Sequence, residues 1–309
     1  MSKANSVLIV GSVALDSVET PTGKVERALG GAAVYSSVAA SFFSPVRMVG
    51  VVGEDFPQEH LDFLNSRKID TSGIQVVPGG QTFHWKGSYE GDMNQANTIA
   101  TELNVFQDFR PELSEEYKSS KYLFLANIDP ELQLQVLDQV EKPKLVAMDT
   151  MNLWISIKKD ALLEVLKRVD IVFINDAEAR QLTGIVNLTK AASEIHSYGP
   201  KYVVVKKGEH GAVMFCNDDL CFAAASYPLE EVADPTGAGD SFAGGFMGYI
   251  ASTGELNDAN IRKAVVYGST MASYNVQDFS LSRFKRLTVQ EIDDRYEEFK
   301  RIVFFEPIG

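Results

Sequence analysis

The stretch Asp234-Pro235-Thr236-Gly237-Ala238-Gly239-Asp240-Ser241-Phe242-Ala243-Gly244-Gly245-Phe246 holds the residues best suited to chemistry in this 309-residue chain. Small residues at 237–239 permit a tight turn with exposed amides, and the apolar run 241–250 predicts a buried helix starting there. Amides at a helix start carry partial positive charge, so Gly237, Ala238 and Gly239 suit a phosphate or a developing oxyanion. A carboxylate beside such a turn repels phosphate, which leaves Asp240 two readings. It is a general base toward a substrate hydroxyl, or it is a helix cap, a place where Asp is among the best residues. Two other glycine motifs fail. The dinucleotide pattern G-x-G-x-x-G needs a small residue where Phe242 stands, and no Gly-Lys-Ser/Thr of a Walker loop occurs anywhere.

Positioning that turn requires a scaffold, and the hydrophobic pattern describes one. Short runs rich in Val and Ile at 7–10, 46–52, 122–126, 145–148, 171–174 and 202–205 read as strands buried on both faces. Helical patterns at 34–43, 58–68, 130–140, 160–168, 177–182 and 189–196 lie between them, which is the α/β alternation of a mostly parallel sheet. Two segments break the alternation as hairpins: 17–28 with Pro21, Thr22 and Gly23, and 82–90 with 97–106 around Gly91, Asp92, Met93 and Asn94. His84, Trp85 and Tyr89 make the second hairpin aromatic, fit either to face a ligand or partner or to pack their own sheet. The segment 288–301 is an amphipathic helix with Ile292, Tyr296 and Phe299 on one face.

Charge and composition exclude several classes. With 29 Lys+Arg against 42 Asp+Glu the net charge is −13, a field that repels nucleic acid and anionic membranes. The uncharged stretch 28–46 is interrupted by Gly30, Gly31, Pro45 and four serines, so it predicts a buried helix rather than a membrane span. Cys216 and Cys221, around Asn217, Asp218 and Asp219, read as two thiols flanking a turn between strands. The opening residues run directly into the first strand, and the expected compartment is the cytoplasm.

The segment 234–246 resembles the C-terminal signature of the ribokinase (PfkB) family of carbohydrate and nucleoside kinases. Gly30-Gly31 with the helix behind it, and Val49-Gly50-Val51-Val52-Gly53-Glu54-Asp55, resemble its N-terminal signature. The likeness continues through Gly11-Ser12-Val13-Ala14-Leu15-Asp16, Asn175-Asp176-Ala177-Glu178 and Lys207-Gly208-Glu209-His210-Gly211-Ala212, and so spans nearly the whole chain. It implies a ribokinase-like three-layer αβα sandwich over 1–309 as a single domain, with β-sheet lid insertions at about 12–30 and 80–107. The implied activity is ATP-dependent transfer of a γ-phosphoryl group to a hydroxyl of a sugar, polyol or nucleoside.

The same resemblance assigns roles. Asp240 would be the base, and the amides of Gly237, Ala238 and Gly239 would hold the transferring phosphoryl group. Asn175, Lys207, Gly208, Gly211, Thr236, Gly237 and Gly239 would border the nucleotide, and Glu178 would organise the water shell of Mg²⁺. Asp16, Gly30, Gly31 and Tyr35 would bind the acceptor. Taken without the resemblance, Glu178 is a first-turn helix carboxylate, and Gly208 and Gly211 are turn residues. Some family members are activated by K⁺ bound near the anion turn, and the lid offers either a cover or the interface of a homodimer. Ala32 and Tyr35 stand where ribokinase itself has Lys and Asn, which speaks against ribose. Asp149 and Asn152 end the strand 145–148 on the ligand side. The competing reading is a nucleotide- or sugar-binding regulatory protein of the same fold without turnover, against which the intact Asp240 turn and the Asn175/Glu178 pair weigh. A nicotinamide-dependent oxidoreductase is opposed by Phe242.

Overall fold

The computed structural model describes residues 5–91, 93–216 and 222–306. Asp92, Cys221 and the expected turn residues Asn217, Asp218 and Asp219 lie outside the described residues. The strands are β1 (Val7–Val10), β2 (Ala14–Thr20), β3 (Gly23–Gly30), β4 (Val46–Gly53), β5 (Ile69–Val77), β6 (Phe83–Tyr89) and β7 (Ala96–Glu102). They continue as β8 (Tyr122–Leu125), β9 (Leu145–Asp149), β10 (Ile171–Asn175), β11 (Tyr202–Lys206), β12 (Ala212–Cys216) and β13 (Phe222–Ala224).

Nine strands form one sheet in the order β13-β12-β11-β10-β9-β8-β1-β4-β5, all running the same way save β12, which pairs antiparallel with both β11 and β13. Its strands alternate strictly. Leu8, Val10, Leu123, Leu125, Val172 and Ile174 face one core, while Val7, Ile9, Phe124, Ile171 and Phe173 face the other. A parallel sheet buried on both faces must be covered by helices on both. Helices Pro130–Leu137, Lys159–Leu166, Asp176–Thr183 and Leu188–Ser197 fill the first core, and Ala32–Ser41, Ala238–Thr253 and Asp258–Asn275 the second. This is the expected three-layer sandwich.

Helices Ala32–Ser41 and Ala238–Thr253 touch backbone to backbone. A Cβ on Gly244 would sit 2.2 Å from the Ser36 carbonyl oxygen, and one on Gly248 would sit 2.7 Å from Ala40 Cα. Neither position has room for a side chain.

The two hairpins are β2–β3 and β6–β7, each antiparallel, and they merge into one four-stranded sheet of order β3-β2-β6-β7. The seam, β2 with β6, is parallel. Two of the aromatics serve this sheet's own packing. His84 Nε2 lies 3.0 Å from Ser17 Oγ across the seam, and Trp85 lies over Gly87 and donates from Nε1 to Thr98 Oγ1 at 3.3 Å.

Several boundaries differ from expectation. The first helix begins at Ala32 rather than 34, because Ser12 Oγ and the Ser12 carbonyl accept from the amides of Ala32 and Ala33 at 3.0 Å and cap it from outside. The arm expected at 97–106 ends at Glu102; a 3₁₀ turn, Asn104–Asp108, then drives Phe106 between Phe83 and Phe109. Edge strand β5 and helices Asn152–Ile157 and Asp258–Asn275 were not foreseen. The C-terminal helix, Val289–Ile302, is capped reciprocally by Thr288 and Glu291 and buries Ile292 and Phe299 as expected. Among the described residues no helix is long and apolar enough to cross a membrane.

Candidate active site

Adjacent strands β9, β10 and β11 end in Asp149, Asn175 and Lys206, so three polar side chains meet at the carboxyl edge of the sheet, where open α/β folds bind ligands. Asn175 pairs in register with Lys206. Lys206 Nζ lies 2.6 Å from Asp149 Oδ2, and Asp149 Oδ1 accepts from the Thr150 amide at 2.8 Å. Helix Asp176–Thr183 starts on Asn175, whose side-chain oxygen accepts from the Glu178 amide at 2.8 Å while Glu178 Oε2 accepts from the Asn175 amide at 2.9 Å. The pair is therefore a capping box. That reciprocal cap orients the buried Glu178 carboxylate, and burial pushes it up to about 7, with Lys206 pulling it down and Asp149 and Asp240 pushing it further.

The anion turn lies opposite. Gly237, at φ 76°, occupies the cap position of helix Ala238–Thr253 without a side chain, so the helix starts three residues earlier than expected. Asp240 stands at the third helical position and is not the cap residue. The Ala238 amide donates to the Pro235 carbonyl at 3.1 Å, closing the turn. A Cβ on Gly239 would lie 2.9 Å from Lys206 Nζ. Burial raises Asp240 to about 7, Asp149 adds to the rise, and Lys206 opposes it. Burial pulls Lys206 down, but Asp149 and Glu178 outweigh this and hold it above the usual lysine value.

Asp16 and Tyr35 come to the other side of the turn. Asp16 is buried and raised to about 7 by desolvation, lowered by the Gly31 amide and raised again by Asp234 and Asp240. A Cβ on Gly30 would fall 1.9 Å from its Oδ2, so only glycine lets the carboxylate lie there. The Tyr35 ring covers Gly237, where a Cβ would sit 2.3 Å from its Cγ. Among the described residues its hydroxyl has no hydrogen-bond partner, and desolvation, then Asp16 and Asp234, hold its pKa well above the usual value. Thr236 Oγ1 donates to Tyr89 Oη at 3.3 Å, so of the three aromatics Tyr89 is the one that reaches the turn.

Gly208 (φ 53°) and Gly211 (φ 80°) shape the turn from β11 into β12, closed by the Lys207 amide on the Gly211 carbonyl at 2.8 Å. A Cβ on Gly208 would lie 2.6 Å from Asn94 Oδ1 of the second hairpin's turn. Lys206, not Lys207, meets the carboxylates. Sequence reasoning passes over Lys206, although a lysine ending the buried run Val203-Val204-Val205 is itself a signal, since a charge there needs a partner. It also passes over Asp234, a buried residue whose carboxylate accepts from the amides of Thr236 and Ser280.

The model of the pfkB family carbohydrate kinases matches residues 4–285. A cytidine kinase of Thermococcus kodakarensis is 35% identical over 246 residues, 78% of this chain and 87% of that protein. The nucleoside kinase of Methanocaldococcus jannaschii superposes with a TM-score of 0.76 at 20% identity, covering 96% of this chain and 100% of that one. Burkholderia thailandensis nucleoside kinase, solved with inosine, gives 0.76 at 21% identity over 94% and 97%. Fold and family together define an ATP-dependent small-molecule kinase, a phosphotransferase acting on a hydroxyl group. The chain belongs to the pfkB family of carbohydrate kinases. Membership implies ATP with a divalent metal, and the reading as a binding protein without turnover is not favoured.

Proposed function

We propose that this kinase phosphorylates a nucleoside, with Asp240 as the general base. The observation that carries the proposal is Asp240 in the first turn of the helix, one residue beyond the Gly239 amide, with its carboxyl raised to about 7. A base with that value is half ionised near neutrality and accepts a proton readily. Asp16 receives the acceptor's hydroxyls, and the unpartnered Tyr35 hydroxyl supplies one more polar contact. Asp240 takes the proton of the reacting hydroxyl as its oxygen bonds to the γ-phosphorus, and the bond from that phosphorus to the bridging oxygen breaks to release ADP. The amides of Gly237 and Gly239 hold the transferring group, and such transfer is mostly positioning and charge stabilisation. Gly208, Gly211, Lys207 and Thr236 border the nucleotide.

Glu178 and Asn175 fit a divalent metal. The Glu178 carboxylate is buried and raised, one of its oxygens is tied to the Asn175 amide, and a cation would restore its charge. Mg²⁺ keeps most of its waters and is commonly held through few carboxylates, which a single buried carboxylate suits. When bound, Mg²⁺ neutralises phosphate charge. Potassium activation belongs to the same proposal, because Asp234 is an anionic donor beside the turn, raised by desolvation. Exchanging K⁺ for Na⁺ in the assay tests it.

The four-stranded sheet, with its insertions at about 12–30 and 80–107 of a single domain, is proposed as the lid. Its outer face is proposed as the interface of a homodimer, and the cytoplasm, where ATP is supplied, as the compartment. Nucleosides are favoured over sugars by the likeness to the cytidine kinase and by Tyr35, whose ring and free hydroxyl suit a larger acceptor. ADP release measured across cytidine, other nucleosides, ribose, fructose and inositol tests this. A nucleoside should exceed every sugar in kcat/KM; turnover confined to sugars overturns it.

A further inference from the structure

We propose that Lys206 is a further catalytic residue, whose ammonium binds the transferring γ-phosphoryl group while Asp149 positions it. The proposal rests on the kinase reading above. Lys206 ends β11 behind three fully buried valines, and only 17% of its side chain and 4% of that of Asp149 are exposed. A buried ion pair is seldom more stabilising than apolar residues of the same volume, so fold stability alone is a weak reason to keep one.

Two relationships say what the pair is for. The Lys206 ammonium lies against the anion turn itself, 2.9 Å from where a Cβ of Gly239 would be. Gly239 is thus the residue that makes room for it. The bond to Asp149 occupies one of the ammonium's three donors, and a lysine acts on phosphate as a compact charge with the donors that remain. Lys206 also faces an excess of negative groups, Asp149, Glu178 and Asp240. A γ-phosphate reaching the turn beside Lys206 would otherwise meet these carboxylates.

The test compares Lys206→Met, Lys206→Arg and the double variant Asp149→Asn/Lys206→Met, which removes both charges of the ion pair so that Asp149 is not left buried without its partner. Binding of ADP and of the β,γ-imido analogue of ATP is measured by calorimetry with Mg²⁺, beside kcat and acceptor KM. If Lys206 holds the γ-phosphoryl group, both Met variants bind the analogue at least about tenfold more weakly and ADP within about threefold. Their kcat falls by about 10²–10³ with acceptor KM little changed, and Arg restores part of the loss. Equal loss for ADP and analogue, or a double variant with kcat within about threefold of the parent, assigns the pair to folding and overturns the proposal. Failure of the nucleoside kinase reading shows separately, as the unaltered protein turning over no nucleoside.

Discussion

The Thr236 hydroxyl donates to the phenol oxygen of Tyr89 across 3.3 Å, tying the end of β6 to the turn that carries Gly237. Nearby, Thr20 and Thr22 donate to the Ala233 carbonyl at 2.8 and 3.0 Å, and Ser280 donates to the Leu29 carbonyl at 2.6 Å. Both hairpins therefore engage the segments around the anion turn through a few hydrogen bonds, the kind of contact that opens and closes easily.

If the small sheet is a lid, a confirmed acceptor should protect the amides of β2, β3, β6 and β7 from hydrogen exchange by about tenfold or more, and leave β10 nearly unchanged. Tyr89→Phe, which removes a neutral bond with a net contribution of about 1 kcal/mol, should raise acceptor KM about fivefold. Hairpins that exchange at the same rate with and without acceptor would be static decoration or a permanent interface.

For Asp240 the expected signature is a pH profile. Desolvation and Asp149 raise its carboxyl to about 7 against the pull of Lys206, so the acid form, which cannot accept a proton, predominates below that pH. kcat/KM should fall about tenfold per pH unit below about 7 and level off above it. Asp240→Asn should lower kcat by about 10²–10⁴ with nucleotide affinity retained. Near-parental turnover in that variant would remove Asp240 from the mechanism.

Glu178→Gln separates metal organisation from folding. The amide can still accept from the Asn175 backbone, so the capping box survives while the charge is lost. In the folded chain the carboxyl lies near 7, above its ordinary 4.5, so this group's stability contribution is lost as pH rises through about 7. The Gln variant should therefore melt no lower than the parent at pH 8, yet need about tenfold more Mg²⁺ for half-maximal rate. An unchanged Mg²⁺ titration would leave Glu178 a helix cap alone.

The glycine turn at 237–239 is legible in the sequence because it is a short contiguous segment whose chemistry depends on local backbone geometry, and the Asn175/Glu178 pair is legible through the family motif it resembles. Lys206 is not, since two lysines adjoin and only the end of β11 and its side-to-side alternation decide which one turns inward. The two hairpins are visible as turns between polar extended runs. Their parallel seam is hidden, because it joins Ser17 to His84, 67 residues away, and no local pattern records that pairing. Phe106 reads as strand from its neighbours, yet the aromatic pocket between Phe83 and Phe109 takes it out of the sheet. Edge strand β5 is half exposed and lacks the apolar run by which the central strands are recognised.

The close approach of helices Ala32–Ser41 and Ala238–Thr253 acts as a ruler. One helix begins at Gly31, beside the Asp16 carboxylate, and the other begins at the anion turn. With Gly244 against Ser36 and Gly248 against Ala40, the two axes can neither separate without losing contact nor approach without collision. If the sites lie as proposed, the spacing between acceptor and phosphoryl group is set by the absence of two side chains. Exchanging acceptor-binding residues elsewhere can retune which alcohol is chosen without disturbing the reach of the transfer, whereas a single methyl group at Gly244 would lengthen it.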